Sequence, residues 1–175
     1  MAVLSARVQF GVSLWFPDRQ FGEAGLEITR RTSLAGDHGP RGHRPIHVLL
    51  IEDDPAIAEM YRVQLEYDGH RVTIAATGEV GYASIASSRP DIVLLDLLLP
   101  DRSGLEIMAD IKDAFPNHPP VVILSNYGEP SMIDKGISLG ALEYLVKSRV
   151  TPASVSSSIP GWIERARYGR SEPRN

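Results

Sequence analysis

The sequence predicts an α/β domain: a doubly wound parallel sheet of five strands, with five helices on its two faces. Three observations lead there. From Ile46 onward, five short apolar runs alternate with segments of helical periodicity. Several of those runs are continuously apolar, as strands covered on both faces are. Turn and capping residues stand at most of the junctions.

Taken in order, "IHVLLI" (46–51) is the first strand, and "EDDP" ends it. Asp54 followed by Pro55 marks a helix start, with an N-cap acceptor before proline at the first helical position. Ile57, Met60, Tyr61 and Leu65 fall on one face of that helix. "YDGH" ends it, with Gly69 available for a left-handed C-cap. "RVTIAA" is the second strand, and Thr77 caps the helix through "GEVGYASIASS". "DIVLLD" is the third strand. A helix is expected from Gly104 to Phe115, with Leu105, Ile107, Met108 and Ile111 as its apolar contacts. "PPVVILS" is the fourth strand. The helix from Pro130 to Leu139 is weaker, because Gly136 lowers its propensity. "LEYLVK" is the fifth strand. Thr151 and Pro152 open the last helix, whose apolar stripe is Val155, Ile159, Trp162 and Ile163. Pro160 and Gly161 lie inside that stripe and are expected to kink or shorten the helix.

Composition narrows the classes. At 175 residues, 43% hydrophobic and 23% charged, the chain suits one globular domain with an appendage. A net charge of −4 gives no electrostatic case for nucleic acid or anionic membrane, so neither direct DNA binding nor a membrane partner is expected. With no cysteines, disulfides and thiolate zinc sites are excluded, and a cytoplasmic location is favoured. No apolar run approaches the roughly 20 residues of a membrane span. "FGVSLWF" is preceded by Arg7 and followed by "PDRQ", which is not a signal peptide.

Charge is divided unevenly. Residues 1–45 carry six arginines against four acids, or +2, and the rest carry 12 bases against 18 acids, or −6. Residues 1–45 are expected to be a poorly structured N-terminal extension or linker, either a tail or translated upstream sequence, with a partner-binding segment as the alternative. "VQFGVSLWF" could be a strand there and "EAGLEITRR" a short helix. Residues 46–168 form the domain, and 169–175 a disordered tail.

In a parallel α/β sheet, ligands sit outside the carboxyl ends of the strands. Those ends hold Glu52 and Asp53 after strand one, Asp96 at strand three, Ser125 at strand four and Lys147 at strand five. Each has an ordinary explanation alone: helix capping, a turn former, a loop hydroxyl, a solvated lysine. Their joint placement at four strand ends favours chemistry. If strands one and three are neighbours, three carboxylates share a cleft and call for a cation. An all-oxygen set without His or Cys suits Mg²⁺, which keeps waters and phosphate oxygens. Lys147 suits a phosphoryl group, Ser125 can donate to one, and a carboxylate nucleophile can become an aspartyl phosphate.

At this point "VLLIEDDPAI", "DIVLLDLLLPDRSGLE", "VVILS" and "GALEYLVK" resemble, in order and spacing, the receiver domain of two-component response regulators, the CheY-like domain. The resemblance covers residues 46–167. It implies the flavodoxin-like strand order 2-1-3-4-5, with strands one and three adjacent. It further implies that Asp96 is the phosphoacceptor and that Glu52, Asp53, Asp96 and the Leu98 backbone carbonyl hold Mg²⁺. Lys147 would pair with the phosphoryl group. Ser125 would be the switch hydroxyl, and Tyr144 the aromatic that moves inward with it. Four positions depart from the family pattern: Glu52 for aspartate, Ser125 for threonine, Asn126 for a small residue and Ser148 for proline. Asn126 is expected to modulate access to the phosphoryl group.

The function expected is a phospho-switch in two-component signalling. A sensor histidine kinase or histidine phosphotransfer protein donates to Asp96. A stand-alone receiver then alters contacts with a downstream protein through its helix 4–strand 5–helix 5 face, and a homodimer is left open. Catalysis is limited to its own phosphorylation and dephosphorylation, so it is not an enzyme in the usual sense. Alternatives are a receiver fragment of a larger regulator or hybrid kinase, a pseudo-receiver, and a small aspartate-nucleophile phosphatase. The last wants a second acid where Leu98 stands. Asp101 is expected to belong to a turn leading to Gly104.

Overall fold

A computed structural model describes residues 44–115 and 117–169, all within one unit, His43–Asn175. Residues 1–43 of the expected N-terminal extension, with its strand and short helix, and nearly all of the C-terminal tail lie outside the described residues.

The chain alternates β1 (His47–Ile51), α1 (Pro55–Tyr67), β2 (Arg71–Ala75), α2 (Gly78–Ser88), β3 (Ile92–Asp96), α3 (Gly104–Ala114), β4 (Val121–Ser125), α4 (Pro130–Ser138), β5 (Glu143–Val146) and α5 (Pro152–Gly169). All strand pairs are parallel, in the order β2-β1-β3-β4-β5. The chain reverses direction across the sheet at β1, so a crevice opens between the carboxyl ends of β1 and β3.

Strand alternation divides the core in two. Leu49, Ile51, Val93, Leu95, Val121 and Ile123 face α2, α3 and α4, meeting Ile85, Ile107, Met108 and Ile111. Val48, Leu50, Ile92, Leu94, Val122 and Leu124 face α1 and α5, meeting Tyr61, Leu65, Val155 and Ile159. β1, β3 and β4 are buried at every position. Each fully buried Leu, Ile or Val contributes about 1.5–3 kcal/mol through removal from water.

The expected helix starts hold. Asp54 accepts from the amides of Ala56 and Ile57, and Thr77 from Val80. Ser103 and Glu106 form a capping box on α3. Gly69 follows α1 at φ 88°, the left-handed region glycine favours. α4 has no side-chain cap and buries only Gly136, where a Cβ would fall 2.7 Å from Ile123 Cδ1. That glycine lets the helix approach the sheet, at the cost in propensity foreseen from sequence.

Two expectations need correction. Met60 is half exposed, and Ala58 takes its place beside Tyr61 and Leu65. The buried stripe centres on 58, 61 and 65, leaving position 60 past its edge. Of the kink or shortening expected of α5, the shortening does not occur: the helix runs through Pro160 to Gly169. Pro160 and Gly161 lie on its exposed side. Pro160 supplies no N–H to the Ser156 carbonyl, and the helix continues past that missing bond. Among the described residues no helix is long and apolar enough to cross a membrane.

Candidate functional site

Register assembles the site. Ile51 pairs with Leu95, Asp96 with Leu124, and Ser125 with Val146. Glu52, Asp96, Ser125 and Lys147 therefore emerge at one edge of the sheet.

The three consecutive acids after β1 separate by task. Glu52 is buried, its main-chain N–H donating to the Ala75 carbonyl at 3.0 Å. Asp53 is exposed, and Asp54 caps α1. One oxygen from each of Glu52, Asp53 and Asp96 lies within 4.8 Å of the others. Lys147 Nζ donates to Glu52 Oε2 at 2.6 Å and to Asp96 Oδ2 at 2.7 Å. All three of these side chains are under one-tenth exposed. The other Asp96 oxygen, Oδ1, accepts from the amides of Leu97 (2.6 Å) and Leu98 (3.3 Å).

Burial pushes the Glu52 carboxyl above the usual range, and the Asp96 charge adds to this against the opposing pull of Lys147. Burial alone would lower Lys147, but its hydrogen bonds to Asp96 and Glu52 outweigh that and hold the ammonium above the ordinary lysine value. Three carboxylates against one ammonium leave −2 in the cleft. That surplus, on oxygen donors alone and with Asp53 open to solvent, fits a hard divalent cation.

Ser125 is fully buried at the neighbouring strand end, where its Oγ accepts the Tyr127 amide at 3.1 Å. Tyr144 is already turned inward: it is buried, and its hydroxyl donates to the Tyr127 carbonyl at 2.8 Å. The two side chains thus bond to the same residue's backbone. Asn126, between them in sequence, is exposed. Leu98 is 55% exposed and pairs with Ser103 across the loop after β3.

Sequence reasoning missed three participants. Tyr127 acts through backbone atoms that no side chain advertises. Gly104 is indispensable for closeness: a Cβ there would fall 2.4 Å from the Asp96 carbonyl oxygen and 2.8 Å from Leu97 Cα. Asp101 sits in the expected bend, but its carboxylate reaches α2, accepting from Gly78 and Glu79 at 2.8 Å each. Those amides hold Asp101 below the usual carboxylate range. A cleft of about 590 Å³ at the opposite edge, lined by Arg89, Asp91, Phe115 and His118 among others, shares no residue with the carboxylates. Cavity volume does not locate the chemistry here.

Residues 48–155 match the family model of the response regulator receiver domain. The probable transcriptional regulatory protein TcrX of Mycobacterium tuberculosis is 33% identical over 104 residues, 59% of this chain and 44% of that protein. The KDP operon transcriptional regulatory protein KdpE of Escherichia coli is 39% identical over 101 residues, 58% of this chain and 44% of that protein. The chain thus spans less than half the length of these curated relatives. A CheY-like receiver domain protein from Methanospirillum hungatei superposes with TM-score 0.65 at 26% identity, covering 71% of this chain and 98% of that one. A receiver domain protein from Clostridium thermocellum gives 0.63 at 29%, covering 70% and 98%. With the five-stranded order, the acidic cluster and the lysine already in place, these matches carry the conclusion that the chain belongs to the response regulator receiver domain family of two-component systems.

Proposed function

We propose that this receiver accepts a phosphoryl group on Asp96 from a histidine kinase or phosphotransfer protein and uses it to switch protein–protein contacts. The observation that supports this most is the hold on Asp96: one oxygen on Lys147, the other on two loop amides, in a buried cleft carrying surplus negative charge.

An Asp96 oxygen attacks the phosphorus of a donor phosphohistidine. The new O–P bond replaces the P–N bond, and the imidazole leaves with a proton from solvent. In the reverse role, water attacks phosphorus, the acyl-phosphate O–P bond breaks, and inorganic phosphate departs. Glu52, Asp53, Asp96 and the Leu98 carbonyl would hold Mg²⁺, which when bound neutralises charge on the phosphoryl oxygens. Lys147 exchanges part of its contact with Asp96 for the phosphoryl group. Ser125 leaves the Tyr127 amide to donate to a phosphoryl oxygen, and Tyr144 secures the inward position, biasing the α4–β5–α5 face. Asn126, exposed directly after Ser125, would modulate access to the phosphoryl group. The chemistry is confined to the protein's own aspartate. Leu98 offers no second acid for turnover of small phosphoesters.

A stand-alone switch, free to self-associate, is our first reading. The curated relatives named as transcriptional regulators, of which the chain spans less than half, favour a second: the receiver portion of a larger regulator. The acidic net charge supports output through protein contact rather than by the receiver touching DNA itself.

Incubation with acetyl phosphate and Mg²⁺ should add one phosphoryl group by intact mass, and Asp96→Asn should abolish it. A wild-type chain that gains no mass would sink this reading.

A further inference from the structure

Asp101 serves more than its own turn. Its Oδ1 accepts the Gly78 amide and its Oδ2 the Glu79 amide, both at 2.8 Å. These are first-turn donors of α2, which a helix cannot satisfy internally. The helix's own cap, Thr77, reaches the Val80 amide at 3.3 Å. The seam is tight: a Cβ on Gly78 would fall 2.6 Å from Arg102 Cγ. Arg102 extends the seam by pairing with Asp110 and lying 3.7 Å from Glu79.

The loop from Leu97 to Ser103 is held in three places. At its start, the Leu97 and Leu98 amides grip Asp96 Oδ1. At its end, Leu98 pairs with Ser103, and the Gly104 amide donates to the Leu97 carbonyl at 2.9 Å. Those two attachments lie within the β3–α3 connection. The third, through Asp101, ties it to a different element.

We propose that Asp101 is a positioning residue for the cation site: it clamps this loop onto the first turn of α2, so that cation binding beside Asp96 and closure of that turn are linked. The proposal rests on the receiver reading, because it takes the Leu98 carbonyl as a ligand. A loop carbonyl ligates well only when its supports fix it, and partners outside the ligand set govern metal affinity for that reason. Linkage is reciprocal: whatever factor the clamp contributes to cation affinity, the cation returns to the clamp.

The test uses the full chain and MgCl₂. Calorimetric titration of Asp101→Ala should show Mg²⁺ dissociation constants raised roughly tenfold. Asp101→Asn should recover part of the loss, since its Oδ1 still accepts an amide. In the wild type, Mg²⁺ should slow hydrogen exchange at the Gly78 and Glu79 amides, and the slowing should vanish in Asp101→Ala. A variant that merely lost stability would keep the wild-type Mg²⁺ affinity, and that result overturns the proposal, as does exchange at Gly78 and Glu79 indifferent to Mg²⁺. Should Asp101→Ala not fold, the same readings on Asp101→Asn decide, with an intermediate affinity expected and a wild-type affinity fatal. A wild type that binds no Mg²⁺ overturns the receiver reading and the clamp together. A wild type that binds it while Asp101→Ala binds equally well overturns the clamp alone.

Discussion

The two ends of the sheet both gather acids and bases, and they use them oppositely. At the amino end, Asp91 accepts the His47 main-chain N–H at 2.8 Å with one oxygen and pairs with Arg44 through the other. His47 meets the Thr73 hydroxyl at 2.8 Å. Burial, with the Arg71 charge nearby, keeps the imidazole below its ordinary pKa. At the carboxyl end, three carboxylates face one ammonium. At the amino end a carboxylate bonded to both an amide and a guanidinium joins the entries of β1 and β3. Unmatched charge, held in place by burial, has to recruit a partner from solution. Similar residue types thus make structure at one end and a receptive site at the other.

The largest effect that sharpens this contrast is Lys147→Met. Removing the one cation bonded to Glu52 and Asp96 among the described residues strands two buried carboxylates and should cost about 3 kcal/mol or more in urea unfolding without Mg²⁺. Mg²⁺ should restore part of it. A loss under about 1 kcal/mol would mean the cleft is wetter and its charge less costly than the burial indicates. Next comes Asp91→Ala, which leaves the His47 N–H without its acceptor and should cost about 1–2 kcal/mol. Acetyl phosphate labelling of Asp96 should be unaffected. Reduced labelling would show that the two ends are not independent.

The smallest effects are slopes with pH, and their signs differ. His47 titrates lower in the folded state than its unfolded value of about 6.5. As pH falls through that value the unfolded chain binds the proton first, so stability is lost. Glu52 is the reverse. Its folded pKa lies above the unfolded 4.5, so as pH falls through the folded value the native state binds the proton first and stability is gained, until the unfolded group protonates too. Urea midpoints across pH 4 to 8 (roughly the span of the two unperturbed values), compared with His47→Gln and Glu52→Gln, should isolate the two slopes. Slopes of the same sign would break the contrast.

The strands were legible because burial on both faces leaves continuous apolar runs at β1, β3 and β4. The acidic site was legible because a parallel sheet brings every strand's carboxyl end to one edge, so residues distant in sequence could be grouped before any contact was known. What escaped depends on contacts with no local pattern. Met60 satisfies helical periodicity, but the width of the buried stripe is set by the sheet beneath it. Pro160 should interrupt α5 by its own chemistry, but the helix continues through it, held on its other face by Val155, Ile159 and Trp162 in the core. Asp101 follows a proline and resembles any turn acid. Only the fold reveals that α2 lies within reach of its carboxylate.

The shared bonds of Ser125 and Tyr144 to Tyr127 carry a consequence for how this protein could drift. Both run through the main chain, which every amino acid except proline supplies alike. The half-exposed side chain at 127 is therefore free to change without touching the junction, and a survey of tolerated substitutions would score the position as unimportant. Only proline, which removes the donor to Ser125, would register there. A junction written in backbone atoms leaves almost no trace in the alphabet from which lineages are compared.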